Sequence, residues 1–314
     1  MKLGIALLII VVLICILIVV FSFAMVRFIT KPKKWSLTDY KKRIEDEGVS
    51  FEYFLKSRRE VLNAYSDYGY ELKGFLMKQE KDTKRYVIVT HGYSANRWES
   101  LAYANIYYKL GYHVYLYDMR YHGDNEDSFC SMGCYEHMDI IAIAEELRRR
   151  FGDEIEIGLH GVSLGASSSI LALRLYDGFS FCVSDCGFAD LKKLMKYLSG
   201  KWFHLPGFLV YPVSWACFCQ YHFDLLKSRP WEALKMNTTT PVLFIHGTAD
   251  DFILPSHAKR LYEAASSYKE LHYIDGAEHA RSIYKAPEEY QKIVTEFLKR
   301  IYTGKTKLQD ETES

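Results

Sequence analysis

The pentapeptide Gly161-Val162-Ser163-Leu164-Gly165 constrains this chain more than any other stretch. It follows directly on the apolar run Ile155-Glu156-Ile157-Gly158-Leu159-His160 and leads into a second apolar segment that reaches Leu175. The pattern reads as strand, tight turn and helix, with a serine at the apex. Glycines two residues to either side let the strand and the helix pass close to that apex, the arrangement of a G-x-S-x-G nucleophile elbow. A serine hydroxyl is a weak nucleophile at neutral pH, so it needs a base and a third group to orient the base. A packing turn between strand and helix could carry the same five residues, so the reading depends on the rest of the chain.

Downstream, Pro241-Val242-Leu243-Phe244-Ile245 reads as a buried strand that ends in His246-Gly247-Thr248-Ala249-Asp250-Asp251. Glu270-Leu271-His272-Tyr273-Ile274 reads as another strand, followed by Asp275-Gly276-Ala277-Glu278-His279. Upstream, Tyr86-Val87-Ile88-Val89-Thr90 runs into His91-Gly92-Tyr93-Ser94, where an oxyanion-binding amide is expected. A serine, a carboxylate and a histidine thus follow one another in the chain order of α/β enzymes that use an elbow serine. The carboxyl ends of parallel strands are also where open α/β sheets carry their sites.

On these motifs the chain resembles the α/β-hydrolase superfamily over roughly residues 49 to 302, and is most similar to bacterial membrane-anchored serine hydrolases near the serine aminopeptidases and lysophospholipase-like esterases. The resemblance implies Ser163 as nucleophile, His279 as general base and then acid, and Asp250 as the orienting carboxylate. It implies an oxyanion hole made by the backbone N–H groups of Tyr93 and Leu164. Tyr117-Asp118-Met119-Arg120-Tyr121-His122-Gly123 resembles the family's Asp-x-Arg-x-His-Gly loop, with Tyr121 where a glycine is common. The segment from Asp250 to Pro255 is one residue longer than the family spacing, which leaves Asp251 as the rival acid. His91, His246 and His160 read as loop-holding or buried histidines.

The amino terminus carries the second strong feature. Leu3 to Val26 contains no charge, and at about 1.5 Å per residue a helix of that length spans a hydrocarbon core of roughly 30 Å with some tilt. Ser22-Phe23-Ala24 matches a signal-peptidase pattern, but a signal core is usually about 7–15 apolar residues, so a retained anchor is expected. Only Lys2 precedes the stretch, whereas Arg27, Lys31, Lys33, Lys34, Lys41, Lys42 and Arg43 follow it. The positive-inside rule then puts the body in the cytoplasm, held by a single pass.

The expected organisation is an anchor over 1–30, a charged linker over 31–48 and a hydrolase domain over 49–303 with a cap inserted at about 188–237. A disordered tail follows over 304–314. Val49 to Leu55 and Tyr70 to Met77 alternate like opening antiparallel strands, after which strands and helices alternate as in a mostly parallel sheet covered on both faces. The cap is rich in aromatics and broken by Pro206 and Pro212, and an apolar substrate pocket is expected beneath it.

A formal net charge of +1 gives no reason to expect nucleic acid as a partner. No dinucleotide fingerprint, P-loop or His-Glu-x-x-His pattern is present, so neither cofactor nor metal is expected. Seven cysteines, one of them Cys15 in the anchor, match no paired zinc-knuckle spacing; Cys130, Cys134 and His137 come nearest to a metal set. The expected substrate is a small ester or a peptide-like molecule, and the expected macroscopic partner is the lipid bilayer. An esterase, a peptidase or amidase with the same triad, and a membrane-tethered module without catalysis remain the three readings. Dehalogenase and epoxide hydrolase chemistry is disfavoured, because it places an aspartate at the elbow.

Overall fold

The computed structural model of the chain describes residues 2–125 and 128–312. The chain opens with α1 (Lys2–Thr30), whose leucine, isoleucine and valine side chains are exposed along most of its length. Only near its end do Ser22, Val26 and Thr30 become buried, where the helix meets the body. After a short link, Ser36 accepts the Asp39 N–H at 3.0 Å and starts α2 (Leu37–Asp46). Tyr40 and Ile44, four residues apart, bury the inner face of α2.

The segment expected to open the sheet is a helix instead, α3 (Glu52–Lys56). Phe51 and Phe54 both turn onto Trp98, with ring centroids at 5.8 and 5.1 Å. A spacing of three meets one neighbour from a helical turn, whereas a strand would send the two rings to opposite faces. The sheet begins later, with β1 (Arg58–Val61). A two-stranded ribbon, β2 (Ala64–Tyr65) with β3 (Glu71–Leu72), then leads to β4 (Gly74–Lys78).

From there strands and helices alternate: β5 (Arg85–Thr90), α4 (Ser100–Lys109), β6 (His113–Tyr117), α5 (Glu136–Phe151), β7 (Glu156–Val162), α6 (Leu164–Ala172) and β8 (Phe179–Asp185). Three helices interrupt the rhythm, α7 (Leu191–Phe203), α8 (Val210–Tyr221) and α9 (Pro230–Met236). The chain closes with β9 (Val242–Gly247), α10 (Ser256–Ala264), β10 (Lys269–Ile274), α11 (Ser282–Lys285) and α12 (Pro287–Thr312). Helical backbone in α12 continues past Thr303, where a disordered tail was expected. Lysine and glutamine favour helix, and the single Gly304 costs only about 1 kcal/mol against alanine, too little to stop a helix already nucleated.

The main sheet runs in the order β1-β4-β6-β5-β7-β8-β9-β10, with antiparallel pairings from β1 through β6 and parallel pairings beyond. This is an α/β-hydrolase fold. The central strands are buried on both faces, and their side chains alternate accordingly. Ile88, Tyr115, Leu159 and Phe244 pack under α5 and α6, whereas Val87, Val114, Val183 and Leu243 pack under α4 and α12. β5 lies between β6 and β7, so the direction of strand progression reverses there. Such a switch point opens a crevice at the carboxyl ends of the strands, and Ser163 stands in it.

Candidate active site

Ser163 sits between β7 and α6 with φ 55° and ψ −113°, a conformation that a residue with a Cβ rarely adopts. Strain of this kind costs about 1–3 kcal/mol and persists only where the surroundings enforce it. Here the Ser163 N–H donates to the Asp185 carbonyl at 2.8 Å, and the Ser163 carbonyl accepts the Ser167 N–H at 3.1 Å. The glycines are required by close approach. A Cβ on Gly161 would collide with the Gly165 carbonyl, and one on Gly165 with the Thr90 carbonyl.

Ser163 Oγ lies 2.9 Å from His279 Nε2, and His279 Nδ1 lies 2.7 Å from Asp250 Oδ2. Asp250 is fully buried; its Oδ1 accepts the N–H groups of Phe252 and Ile253 at 3.0 and 2.9 Å. His246 Nε2 stands 3.1 Å from Oδ2 and 2.7 Å from the Ile253 carbonyl, so that nitrogen carries the proton. Burial by itself would raise the Asp250 carboxyl, but hydrogen bonds from His246 and His279 outweigh it and hold the group well below the usual carboxylate range. The Phe252 ring lies 4.7 Å from the His279 ring and limits its tilt.

Asp251 faces the other way. Its carboxylate is 83 % exposed and pairs with Lys201 Nζ at 2.6 Å. The additional residue before Pro255 is taken up after Asp250, where Phe252 and Ile253 fold their N–H groups back onto it.

Leu164 is the first residue of α6, so its N–H lies at the positive end of that helix. Among the described residues neither that N–H nor the one of Tyr93 is paired with a protein acceptor. Gly92 packs against the Ser163 side chain, which brings the Tyr93 peptide beside the serine. Several buried groups fix this loop. Glu99 Oε2 accepts the Gly92 N–H at 2.6 Å while its Oε1 accepts the Tyr40 hydroxyl at 2.8 Å. His122 Nε2 accepts the Ser94 N–H at 3.1 Å, and His91 Nε2 accepts the Met119 N–H at 2.9 Å. Burial pushes His91 down to about 4 and His122 down to about 3, so both stay neutral and can accept. Tyr121 has φ 61°, a conformation that favours glycine, and its ring receives Lys34 Nζ at 4.4 Å from the centroid.

Sequence reasoning missed Glu99 and Asp185. Glu99 looks like any acid at the start of a helix. Asp185 is buried at the end of β8 under the Tyr290 and Tyr103 hydroxyls, and burial pushes it up to about 6. Cys130, Cys134 and His137 serve separate neighbours, namely Met132, the Asp224 carbonyl and the Gly133 carbonyl. Among the described residues, the potential metal ligands that do converge are Cys186, Asp250 and His279, within 4.8 Å. Burial keeps Cys186 a thiol, and the other two are committed to each other.

A cavity of about 140 Å³ opens beside Ser163, lined by Tyr93, Leu164, Phe188 and Ile253 from the body. Leu194, Leu198 and Val213 from α7 and α8 form a second side, and Phe21, Met25, Phe28 and Ile29 of α1 form a third. The α1 wall was not foreseen, although those four residues lie on one helical stripe.

The sequence profile of the prolyl oligopeptidase family matches residues 99–305. The Bacillus subtilis (strain 168) protein YqkD, itself uncharacterised, is 32% identical over 276 residues, covering 85% of this chain and 88% of its own length. Among solved structures, the Pyrococcus furiosus esterase Pf2001 aligns with a TM-score of 0.66 at 23% identity, covering 80% of this chain and 94% of the esterase. The Pyrococcus horikoshii acylaminoacyl peptidase aligns with a TM-score of 0.61 at 20% identity, covering 80% of this chain and 43% of that one.

Proposed function

Because the chain belongs to the prolyl oligopeptidase family and is a serine hydrolase of the α/β-hydrolase fold, we propose that it cleaves a carboxylic ester through an acyl-enzyme on Ser163. The observation that carries this reading is the unbroken run of contacts from Ser163 Oγ through His279 to Asp250, at 2.9 and 2.7 Å. In it, His279 Nε2 takes the serine proton as Oγ attacks the acyl carbon, and then returns it to the departing alkoxide oxygen. Water repeats the sequence on the acyl-enzyme and releases the acid. Asp250 holds the imidazole in the tautomer with Nδ1 protonated and stabilises the cation that forms. The free N–H groups of Tyr93 and Leu164 receive the oxyanion.

An ester is favoured over a peptide by the cleft itself. Its lining is almost wholly apolar and includes no ionised side chain among the described residues, so a peptide's amides or terminal amine would be buried there without partners. Fluorophosphonate labelling, lost in Ser163→Ala, tests the nucleophile. A p-nitrophenyl ester series from acetyl to hexanoyl tests the substrate. Each buried methylene is worth about 0.8 kcal/mol, so kcat/KM should rise about fourfold per carbon. A flat series would remove the apolar acyl site, and faster cleavage of aminoacyl p-nitroanilides would favour the peptidase.

α1 is compatible with membrane anchoring, and the basic residues that follow it support a single pass with the body in the cytoplasm. Digestion of the body by protease added outside sealed cells would reverse that orientation.

A further inference from the structure

The geometry points to a cleft that opens onto the bilayer itself, and we infer that the substrate is a membrane-resident acyl ester whose chain reaches Ser163 along α1 without crossing water. This inference rests on the ester-hydrolase reading and specifies where its substrate resides.

The first support is length. Leu3 to Val20 rises about 27 Å as a helix, just short of a hydrocarbon core of roughly 30 Å. The next residues, Phe21 to Ile29, therefore stand at the boundary between acyl chains and headgroups, and four of them, Phe21, Met25, Phe28 and Ile29, form one wall of the cleft.

Second, α1 is joined to the body rigidly. The Tyr93 hydroxyl lies 3.1 and 3.0 Å from the Phe28 and Ile29 carbonyls, and the Cys130 N–H donates to the Thr30 carbonyl at 2.8 Å. These bonds satisfy carbonyls that a helix end otherwise leaves open. Packing of α1 on α8 continues the joint. The anchor thus sets the height of Ser163 above the membrane, as a flexible tether could not.

The third support is the surface around the joint. Phe203 rests on Phe28 and Trp215 on Phe23, at 6.2 and 6.4 Å between ring centroids. Beside them Trp202, Phe208 and Phe218 are at least half exposed. Exposed large rings on α7, α8 and the turn between them, elements that pack beside an apolar helix, are of the kind that marks a membrane or protein contact, and tryptophan is favoured where acyl chains meet headgroups. Continuity with α1 makes the bilayer the occupant. Charge agrees with this. From Leu191 to Phe223 the sequence holds Lys192, Lys193 and Lys196, besides the Lys201 that pairs with Asp251, and no acid, and no acid precedes Asp39 in the chain. A surface of that sign suits an anionic headgroup plane.

The test uses the full chain in vesicles of phosphatidylcholine and phosphatidylglycerol, with monooleoylglycerol as the embedded ester and p-nitrophenyl butyrate as the soluble one. The variant Phe208→Ser/Trp215→Ser/Phe218→Ser alters rings outside the cleft. It should lose about tenfold or more on monooleoylglycerol while keeping fluorophosphonate labelling and butyrate turnover. Equal rates of variant and wild type on monooleoylglycerol would overturn the inference. Wild type that cleaves butyrate but not monooleoylglycerol would overturn it as well, leaving the esterase reading intact. Wild type that neither labels nor turns over either ester would instead overturn the esterase reading. Should the variant fail to label, brominated-lipid quenching of wild type against Trp215→Phe decides. A quenched Trp215 contribution upholds bilayer contact, and its absence refutes it.

Discussion

On the sheet side of Ser163, Asp250 is fully buried and its two oxygens face four N–H groups, two from the backbone and two from imidazoles. On the opposite side Phe28 is 60 % exposed and lines the cleft with an apolar side chain. The first reaches Ser163 through His279, and the second lines the cavity that opens beside it. The first region depends on direction, because stabilising a developing charge requires donors and acceptors already aimed before the reaction begins. The second depends on area, because apolar contact is non-directional and grows with the surface removed from water. The fold places the first on the ends of buried strands and the second on helices at the periphery.

Substitutions at the two regions should therefore behave differently, and the largest effects belong to the sheet side. Ser163→Ala and His279→Ala should each lower kcat by about 10⁴–10⁶, and the double variant should be little worse than either, since the residues act as a unit. Additive losses in steady-state kinetics would break the picture of one linked site.

Asp250→Asn should cost about 10⁴ in kcat, whereas Asp251→Asn should stay within about twofold. The same carboxylate makes a stability prediction whose sign follows from its depressed folded-state value. The stabilisation from ionised Asp250 is present above the unfolded value of 3.8 and is lost as pH falls below it towards the lower folded value. Denaturant unfolding below about pH 4 should therefore destabilise wild type more steeply than Asp250→Asn. Parallel pH profiles would show that the carboxylate gains nothing on folding.

On the apolar side the effect should be graded by chain length. Phe28→Ser should lower kcat/KM for a hexanoyl ester by about tenfold and leave an acetyl ester within about twofold, because a short chain does not reach the α1 wall. Equal losses on both esters would make Phe28 part of the chemistry. The smallest effect should come from the joint between the regions. Tyr93→Phe removes a hydroxyl that meets the last carbonyls of α1 but keeps the Tyr93 backbone N–H, and should lower kcat for every ester about threefold. A change confined to long esters would place the effect in the wall instead.

The elbow was legible because its glycines stand at fixed spacing around the serine: Gly161 has no room for a side chain beside the Gly165 carbonyl, and Gly165 none beside the Thr90 carbonyl of β5. The alternation of buried strands and amphipathic helices was legible for a similar reason, since period and burial are tied by geometry. The segment at Phe51 to Leu55 was misread because alternating apolar residues fit a strand equally well, and Trp98, a distant residue, selected the helix. Glu99 carried no local signal at all. Its importance comes from the Gly92 N–H of the loop it pins and from the Tyr40 hydroxyl, which α2 brings to it from 59 positions away.

By itself the sequence determined the fold class, the strained serine turn, the four strand ends that face one crevice and the apolar helix at the amino terminus. Each of these is written in short-range patterns of size, polarity and spacing. The tertiary structure decided which of two adjacent aspartates meets His279, because only the folded loop turns the Phe252 and Ile253 amides onto one and leaves the other in solvent. It also decided that α1 is a wall of the cleft as well as a long apolar helix. That outcome depends on contacts between α1, Tyr93 and α8, residues far apart in the chain whose meeting no local pattern encodes.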